Sequence, residues 1–259
     1  MKYSKVLIVG AGSYIASQTL CGLDFGDSEI FLVSRRALDP SLFVNRENVK
    51  YLLVEDFAEE SNFDVVANLL ELNKKDSLLV INYIGDFGTI ADVDQINSKT
   101  FHSEFKRNLD PFLMLSRLVV KSDTGLFISF SGGGIGGNNL ETLSPSYLAS
   151  KAALVFLIEG FDKLNSIDGI RFTAIAPGAF PSRMQEVVAE SLHGSVVAER
   201  RHAAVKTLNT ETDPTKLIEM LNFLIKNPEL AGGRLWSANF DQLTEELMTS
   251  DFGKLRRIY

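Results

Sequence analysis

Tyr147 and Lys151 stand four residues apart in the run SPSYLASKAALVFLIEGF. That spacing puts a phenol and an ammonium on one face of an α-helix, because four residues slightly exceed one turn. An unperturbed phenol, with a pKa of about 10, is too weak an acid for proton transfer at neutral pH. An ammonium about 5 Å away stabilises the phenolate by roughly 3 kcal/mol at an effective dielectric of about 20, or about two pKa units. The phenol then approaches the range in which general acid–base catalysis is efficient. Ala149, Ser150, Ala152 and Ala153 are small, so the helix carrying the pair can pack closely on its neighbours. By itself the spacing is common, and a half-buried ring beside a solvated amine satisfies it equally well.

Holding such a pair in place takes a framework, and the chain spells one out. Val6 to Val9 is a short apolar run that predicts a buried strand, followed by Gly10-Ala11-Gly12-Ser13 and a helical stretch, IASQTLCGL. Strand, glycine turn and helix form the layout that sets backbone N–H groups against a phosphate. Further strands are predicted at Glu29 to Ser34, Val49 to Val54, Ser77 to Asn82, Leu126 to Phe130, Ile170 to Ile175 and Gly233 to Ser237. Helices are predicted near Phe63 to Leu72, over Asp94 to Lys121, through the Tyr147 run and over Pro214 to Ile225, with mobile helical segments across 182–205. Pro111 lacks the N–H that would bond the Arg107 carbonyl, so a kink beside Asn108 is expected. Strands alternating with helices imply an α/β fold, a doubly wound parallel sheet of about seven strands with helices on both faces. Ligands in such sheets bind beyond the carboxyl ends of the strands, where Gly10, Arg35, Asp56, Asn82 and Ser131 all fall.

Composition narrows the partners. The chain has 259 residues, 45% of them hydrophobic, enough for a large core, and no linker divides it, so one domain over 1–259 is expected. A net charge of −7 without a basic stripe argues against nucleic acid and anionic membrane. Cys21 is the only cysteine and is expected to be a small buried apolar residue. With His102, His193 and His202 scattered, no metal site is predicted. The N-terminus runs straight into a strand with no leader-like apolar segment, from which a cytoplasmic protein is expected.

Over nearly its whole length the chain resembles the short-chain dehydrogenase/reductase family, whose Rossmann-type fold agrees with the pattern of strands and helices. Tyr147, Lys151 and Asn108 stand where the family has its catalytic Tyr, Lys and Asn. Pro177-Gly178, with Phe180 and Ser182, resembles the segment that holds the nicotinamide carboxamide. Asp56, followed by Phe57, matches the acidic residue that meets the adenine, and Asn82-Tyr83-Ile84-Gly85 matches the ends of the family's Asn-Asn-Ala-Gly motif. The phosphate loop departs from Gly-x-x-x-Gly-x-Gly: its three positions here are Gly10, Tyr14 and Ala16, with Ser13 and Ile15 between them. Alignment of the fifth strand puts Gly132 at the usual catalytic serine and Ser131 one residue early, on the opposite face unless the glycine run bends the chain. Ser144 and Ser146 are the alternatives.

The resemblance implies hydride transfer between a nicotinamide and a carbonyl or alcohol carbon. Tyr147 would be the acid–base, Lys151 would lower its pKa and bind the ribose, Ser131 would bond the substrate oxygen, and Asn108 would hold a water. Segment 182–205 would be a substrate lid. NAD-preferring members carry an acidic residue after the second strand, where this chain has Ser34-Arg35-Arg36, and arginine pairs with a 2′-phosphate. NADP(H) is therefore expected rather than NAD(H). The Tyr147 helix continues as LVFLI, apolar nearly all round, and needs cover on more than one side. The family covers that face with a second subunit, which implies a homodimer or homotetramer; the chain's own tail is the other possible cover. The run GGRLWSANFDQL and the ending KLRRIY resemble members acting in bacterial polysaccharide and sugar metabolism, which implies a small-molecule substrate with a sugar-derived carbonyl. Two rivals stay open: a non-enzymatic NADP(H)-binding regulator, and a nucleotide-sugar epimerase or dehydratase, for whose substrate domain little chain remains after Gly178.

Overall fold

The central strands, at residues 5–9, 29–34 and 77–82, are short runs of Val, Ile, Leu and Phe bounded by glycine or polar residues, the pattern of a sheet covered on both faces, whereas the edge strand at 49–53 is largely exposed. The computed structural model describes residues 3–38, 48–57, 59–132, 144–191, 195–239, 241 and 243. The strands are β1 (Lys5–Val9), β2 (Glu29–Ser34), β3 (Val49–Leu53), β4 (Ser77–Asn82), β5 (Thr124–Phe130), β6 (Ile170–Ala176) and β7 (Arg234–Ser237). They form one parallel sheet in the order β3-β2-β1-β4-β5-β6-β7. The helices are α1 (Tyr14–Thr19), α2 (Glu60–Leu70), α3 (Ser98–Val119), α4 (Pro145–Asn165), α5 (Arg183–Glu190), α6 (Ser195–Leu208), α7 (Thr215–Lys226) and α8 (Pro228–Ala231). Among the described residues no helix is long and apolar enough to cross a membrane.

Register brings the strand ends level: Val9 pairs with Val33 and with Asn82, and Asn82 pairs with Ser129. From β1 the chain runs outward through β2 to β3, then crosses back to β4 on the other side of β1. The order thus reverses between β1 and β4, and the crevice beyond their carboxyl ends is where such folds bind ligands. One face of the sheet packs on α7 through Leu217, Met220, Leu221 and Leu224. The other packs on α2, α3 and α4, with Phe63, Phe112, Leu115, Leu154 and Ile158 against Phe127 and Phe172. Full burial of each such side chain contributes roughly 1.5–3 kcal/mol.

Three expectations are revised. The first helix ends at Thr19 and tightens into a 3₁₀ turn over Leu20–Gly22. That turn points Leu20 inward and leaves Cys21 exposed rather than buried. The third helix begins at Ser98, four residues late, because the Asn97 side chain caps it by accepting from the Thr100 N–H at 3.1 Å. It then continues through Pro111 to Val119, with Pro111 unable to donate to the Arg107 carbonyl.

Candidate active site

Pro145 opens α4 at a position where the missing N–H costs nothing and the fixed φ suits a helix. The helix then delivers Tyr147 and Lys151 to the carboxyl edge of the sheet. Lys151 is only 2% exposed, and its Nζ donates to the Phe130 carbonyl at 2.8 Å, at the end of β5. Gly85, just past β4, lies directly over it: a Cβ there would sit 3.5 Å from Nζ. Nζ is 5.7 Å from the centroid of the Tyr147 ring. Burial disfavours the ammonium and pulls the pKa of Lys151 down from 10.5 to about 8.

Tyr147 is 6% exposed, and its ring lies 5.2 Å from that of Phe87. Val188 of α5 and Val197 and Ala204 of α6 join both rings in a small apolar cluster, with Met184 and Ala189 at its margin. The helices of segment 182–205 therefore sit over the tyrosine. Gly132 faces the Tyr147 hydroxyl so closely that a Cβ on it would fall well inside van der Waals contact. Ser131 turns elsewhere: it is buried, and its hydroxyl donates to the Gly132 carbonyl at 3.0 Å. Neither alternative serine reaches the phenol. Ser144 donates to the Phe87 carbonyl, and Ser146 donates to Glu104 at 2.6 Å.

Asn108 is buried on α3 and grips the backbone of Asp86 from both sides. Its Oδ1 accepts from the Asp86 N–H at 2.8 Å, and its Nδ2 donates to the Asp86 carbonyl at 2.8 Å and to the Glu104 carbonyl at 3.3 Å. The side chain thereby fixes the chain just past Gly85. Glu104, Thr89 and Phe87 were not singled out from the sequence, although a glutamate on the apolar stripe of α3, one turn before Asn108, was the available signal.

At the β1–β4 crevice the Gly10 N–H donates to the Val33 carbonyl at 2.9 Å, and so does the Ala11 N–H at 3.1 Å. Gly10 has φ +77°, and a Cβ on it would lie 3.1 Å from the Ile84 nitrogen. A Cβ on Gly12 would lie 2.6 Å from the Ser34 hydroxyl. Both positions are tight for a side chain, and Gly10 adopts a φ that favours glycine, so the loop forms a cradle that fits the phosphates of a dinucleotide. Ser13 caps α1 by accepting from the Ala16 N–H at 3.2 Å, and Ile15 packs against the core. Tyr14 is 38% exposed, with Ala16 buried beneath the loop.

Tyr83 resolves its own bulk by turning inward: its ring stacks on Phe130 at 4.6 Å and its hydroxyl meets that of Thr19 at 2.9 Å. Asn82 is buried, donating to Ser129 at 3.4 Å and accepting from the Ile84 N–H at 3.1 Å. Ser34 ends β2, and its hydroxyl donates to the Arg36 carbonyl at 2.7 Å, shaping the turn that leaves Arg35 and Arg36 exposed. Asp56 is exposed after β3, and its carbonyl accepts from Asn62 at 2.6 Å; Phe57 beside it is buried in the core. Pro177 is buried past β6, and Gly178 has φ +94°, where a Cβ would meet the Asn239 amide at 2.7 Å. Phe180 is buried in the core, and Ser182 stands at the head of α5.

A family model described as short chain dehydrogenase matches residues 4–193. The chain belongs to that family. A curated relative, the short-chain dehydrogenase/reductase iacC of Pestalotiopsis fici, is 26% identical over 152 residues. That stretch covers 57% of this chain and half the length of the relative. Among solved structures, the RhlG/NADP active-site complex of Pseudomonas aeruginosa is similar with a TM-score of 0.70 and 18% identity, covering 90% of this chain and 93% of that one. An NAD+-bound xylitol dehydrogenase is similar with a TM-score of 0.68 and 17% identity, covering 90% of this chain and 96% of that one. Both share the fold, one with NADP and the other with NAD+.

Proposed function

We propose that the chain is an NADP(H)-dependent oxidoreductase acting on a carbonyl or the corresponding alcohol. One observation carries this reading: the Tyr147 phenol and the buried Lys151 amine share one helix face at the carboxyl edge of the sheet, beside Gly85. A bound nicotinamide would supply the hydride in reduction and accept it in oxidation. Tyr147 gives a proton to the substrate oxygen in reduction and takes one in oxidation. Lys151, still charged at neutral pH, stabilises the phenolate and donates to the Phe130 carbonyl. Asn108 acts through Asp86, holding the backbone that passes over Lys151.

Arg35 and Arg36, exposed at the end of β2, support a 2′-phosphate on the cofactor. A sugar-derived carbonyl is the substrate class proposed, supported by the resemblance of the C-terminal run. The exposed outer face of α4 supports a homo-oligomer.

A second reading, an NADP(H)-binding regulator, is favoured by the cover over Tyr147 and by the Ser131 hydroxyl turning to the Gly132 carbonyl. NADPH oxidation against a panel of keto-sugars, simple ketones and acyl ketones tests both. Turnover on any member supports the oxidoreductase; tight NADPH binding with no turnover across the panel overturns it in favour of the regulator.

A further inference from the structure

Glu104 is a carboxylate sealed inside the protein with no part in the chemistry above. It lies on the buried face of α3, one turn before Asn108, and is 5% exposed. Its Oε1 accepts from the Thr89 N–H at 2.8 Å and from the Thr89 hydroxyl at 2.5 Å. Its Oε2 accepts from the Ser146 hydroxyl at 2.6 Å. The two short O–H···O contacts have the length of charge-assisted hydrogen bonds. Gly88 makes room for them: it has φ +74°, and a Cβ on it would lie 2.6 Å from Oε2. Three elements therefore meet on one carboxylate, namely α3, the segment after β4, and the first turn of α4.

Two more contacts close the frame. Asn108 holds Asp86, and Ser144 donates to the Phe87 carbonyl. Phe87, between the anchored residues Asp86 and Thr89, lays its ring against Tyr147. Ser146 immediately precedes Tyr147. Glu104 thus bonds both the turn that carries the phenol, through Ser146, and the segment whose Phe87 ring backs it, through Thr89. A buried charge is weak evidence for stability, since apolar replacements of similar volume are often no less stable. Orientation is a better reason for it, because small misplacements of a reacting group are costly in rate.

We propose that Glu104 is a positioning residue that sets the Tyr147 phenol through Ser146 and through the Thr89–Phe87 segment; this rests on the reading of Tyr147 as the acid–base. Glu104→Gln keeps the length and shape, since its carbonyl can accept from Thr89 and its amide can donate to a turned Ser146 hydroxyl. Glu104→Ala removes every link. The first measurement needs no substrate: amide hydrogen exchange in the full chain. In Glu104→Ala, exchange across 85–90 and 144–150 rises together by about tenfold or more, while β1 and β2 are unchanged and Glu104→Gln restores protection. A rise confined to α3, or spread through the whole protein, overturns the proposal. Should Glu104→Ala not fold, Ser146→Ala severs the link from the other side, and unchanged exchange over 144–150 overturns it. The second measurement uses a substrate accepted in the panel. Glu104→Ala lowers kcat by about tenfold or more with NADPH affinity kept within about threefold, and added to Tyr147→Phe it removes nothing further, as for residues that act through one another. Additive losses overturn it. A wild-type chain without turnover counts against the oxidoreductase reading, and the exchange measurement then decides for Glu104 by itself.

Discussion

Gly132 presses its α-carbon against the Tyr147 hydroxyl, leaving no room there for even a methyl group. The residue before it, Ser131, spends its hydroxyl on the Gly132 carbonyl. The two positions should therefore answer substitution in opposite ways. Ser131→Ala is expected to leave kcat within about threefold of the parent and to cost about 1 kcal/mol of stability, one ordinary hydrogen bond. Gly132→Ala must displace the phenol and should lower kcat by about tenfold or more, since misplaced reacting groups lose rate steeply. Steady-state turnover and urea unfolding of both variants check this. A Ser131→Ala loss as large as that of Tyr147→Phe would return the substrate contact to Ser131.

Tyr147→Phe removes the acid and keeps the ring that packs on Phe87. Its kcat should fall by about two to four orders of magnitude, the worth of positioned general acid catalysis, with NADPH binding retained. Lys151→Ala should harm both rate and cofactor affinity. Turnover and fluorescence titration separate the two effects, and a Tyr147→Phe enzyme with unchanged turnover would overturn the mechanism.

Much of this arrangement is legible in the residues. Apolar runs ending in glycine or a polar residue mark the strands to within a residue or two, because strands covered on both faces are mostly apolar along their length. The Tyr147–Lys151 pair is legible because an i,i+4 relation is local. Glu104 is not legible in the same way: its partners Thr89 and Ser146 are 15 and 42 residues distant, and only tertiary packing brings them to it. The inward turn of Tyr83 escapes for a similar reason, since the space between Thr19 and Phe130 exists only once α1 has packed on the sheet. Cys21 misleads because one tightened turn rotates a side chain from core to solvent.

Lys151 makes stability depend on pH in a direction opposite to that of a paired lysine. Its folded pKa, about 8, lies below the unfolded value of 10.5. Below pH 8 both states carry the proton, and the cost of a buried ammonium is fully present. Between about pH 8 and 10.5 only the unfolded state keeps it, so stability rises with pH, by about 3 kcal/mol over the whole window. Urea unfolding from pH 7 to 10 should show this rise relative to Lys151→Met, in which it is absent. Parallel pH curves for the two proteins would refute it.

Arg35 and Arg36 should make NADPH bind about tenfold or more tightly than NADH, a demand of about 1.4 kcal/mol on one or two phosphate contacts. Replacing both by Ala should bring the two affinities together by weakening NADPH alone. Fluorescence titration of each cofactor measures this. Equal affinities in the parent chain would remove the arginines from cofactor choice.

The last expectation concerns the outer side of α4. Leu154, Val155 and Ile158 are buried against the sheet, but Phe156 on the same helix is 50% exposed, and among the described residues nothing lies within 4 Å of a Cβ placed on Gly160. Farther along α4, Leu164 is more exposed still, and Ile167, in the 3₁₀ turn Ser166–Asp168 that follows the helix, is 91% exposed. Large apolar side chains in a row on one helix face favour contact with another surface, whereas scattered ones do not. A self-complementary helix face suits a two-fold contact with a second copy, and the open space at Gly160 lets two helices approach closely. The chain should run as a homodimer or homotetramer by light scattering at micromolar concentration. Phe156→Glu should shift it toward monomer, because two carboxylates would then meet across the two-fold axis without compensating charge. A strictly monomeric parent chain, or a Phe156→Glu variant with unchanged mass, would sink the idea.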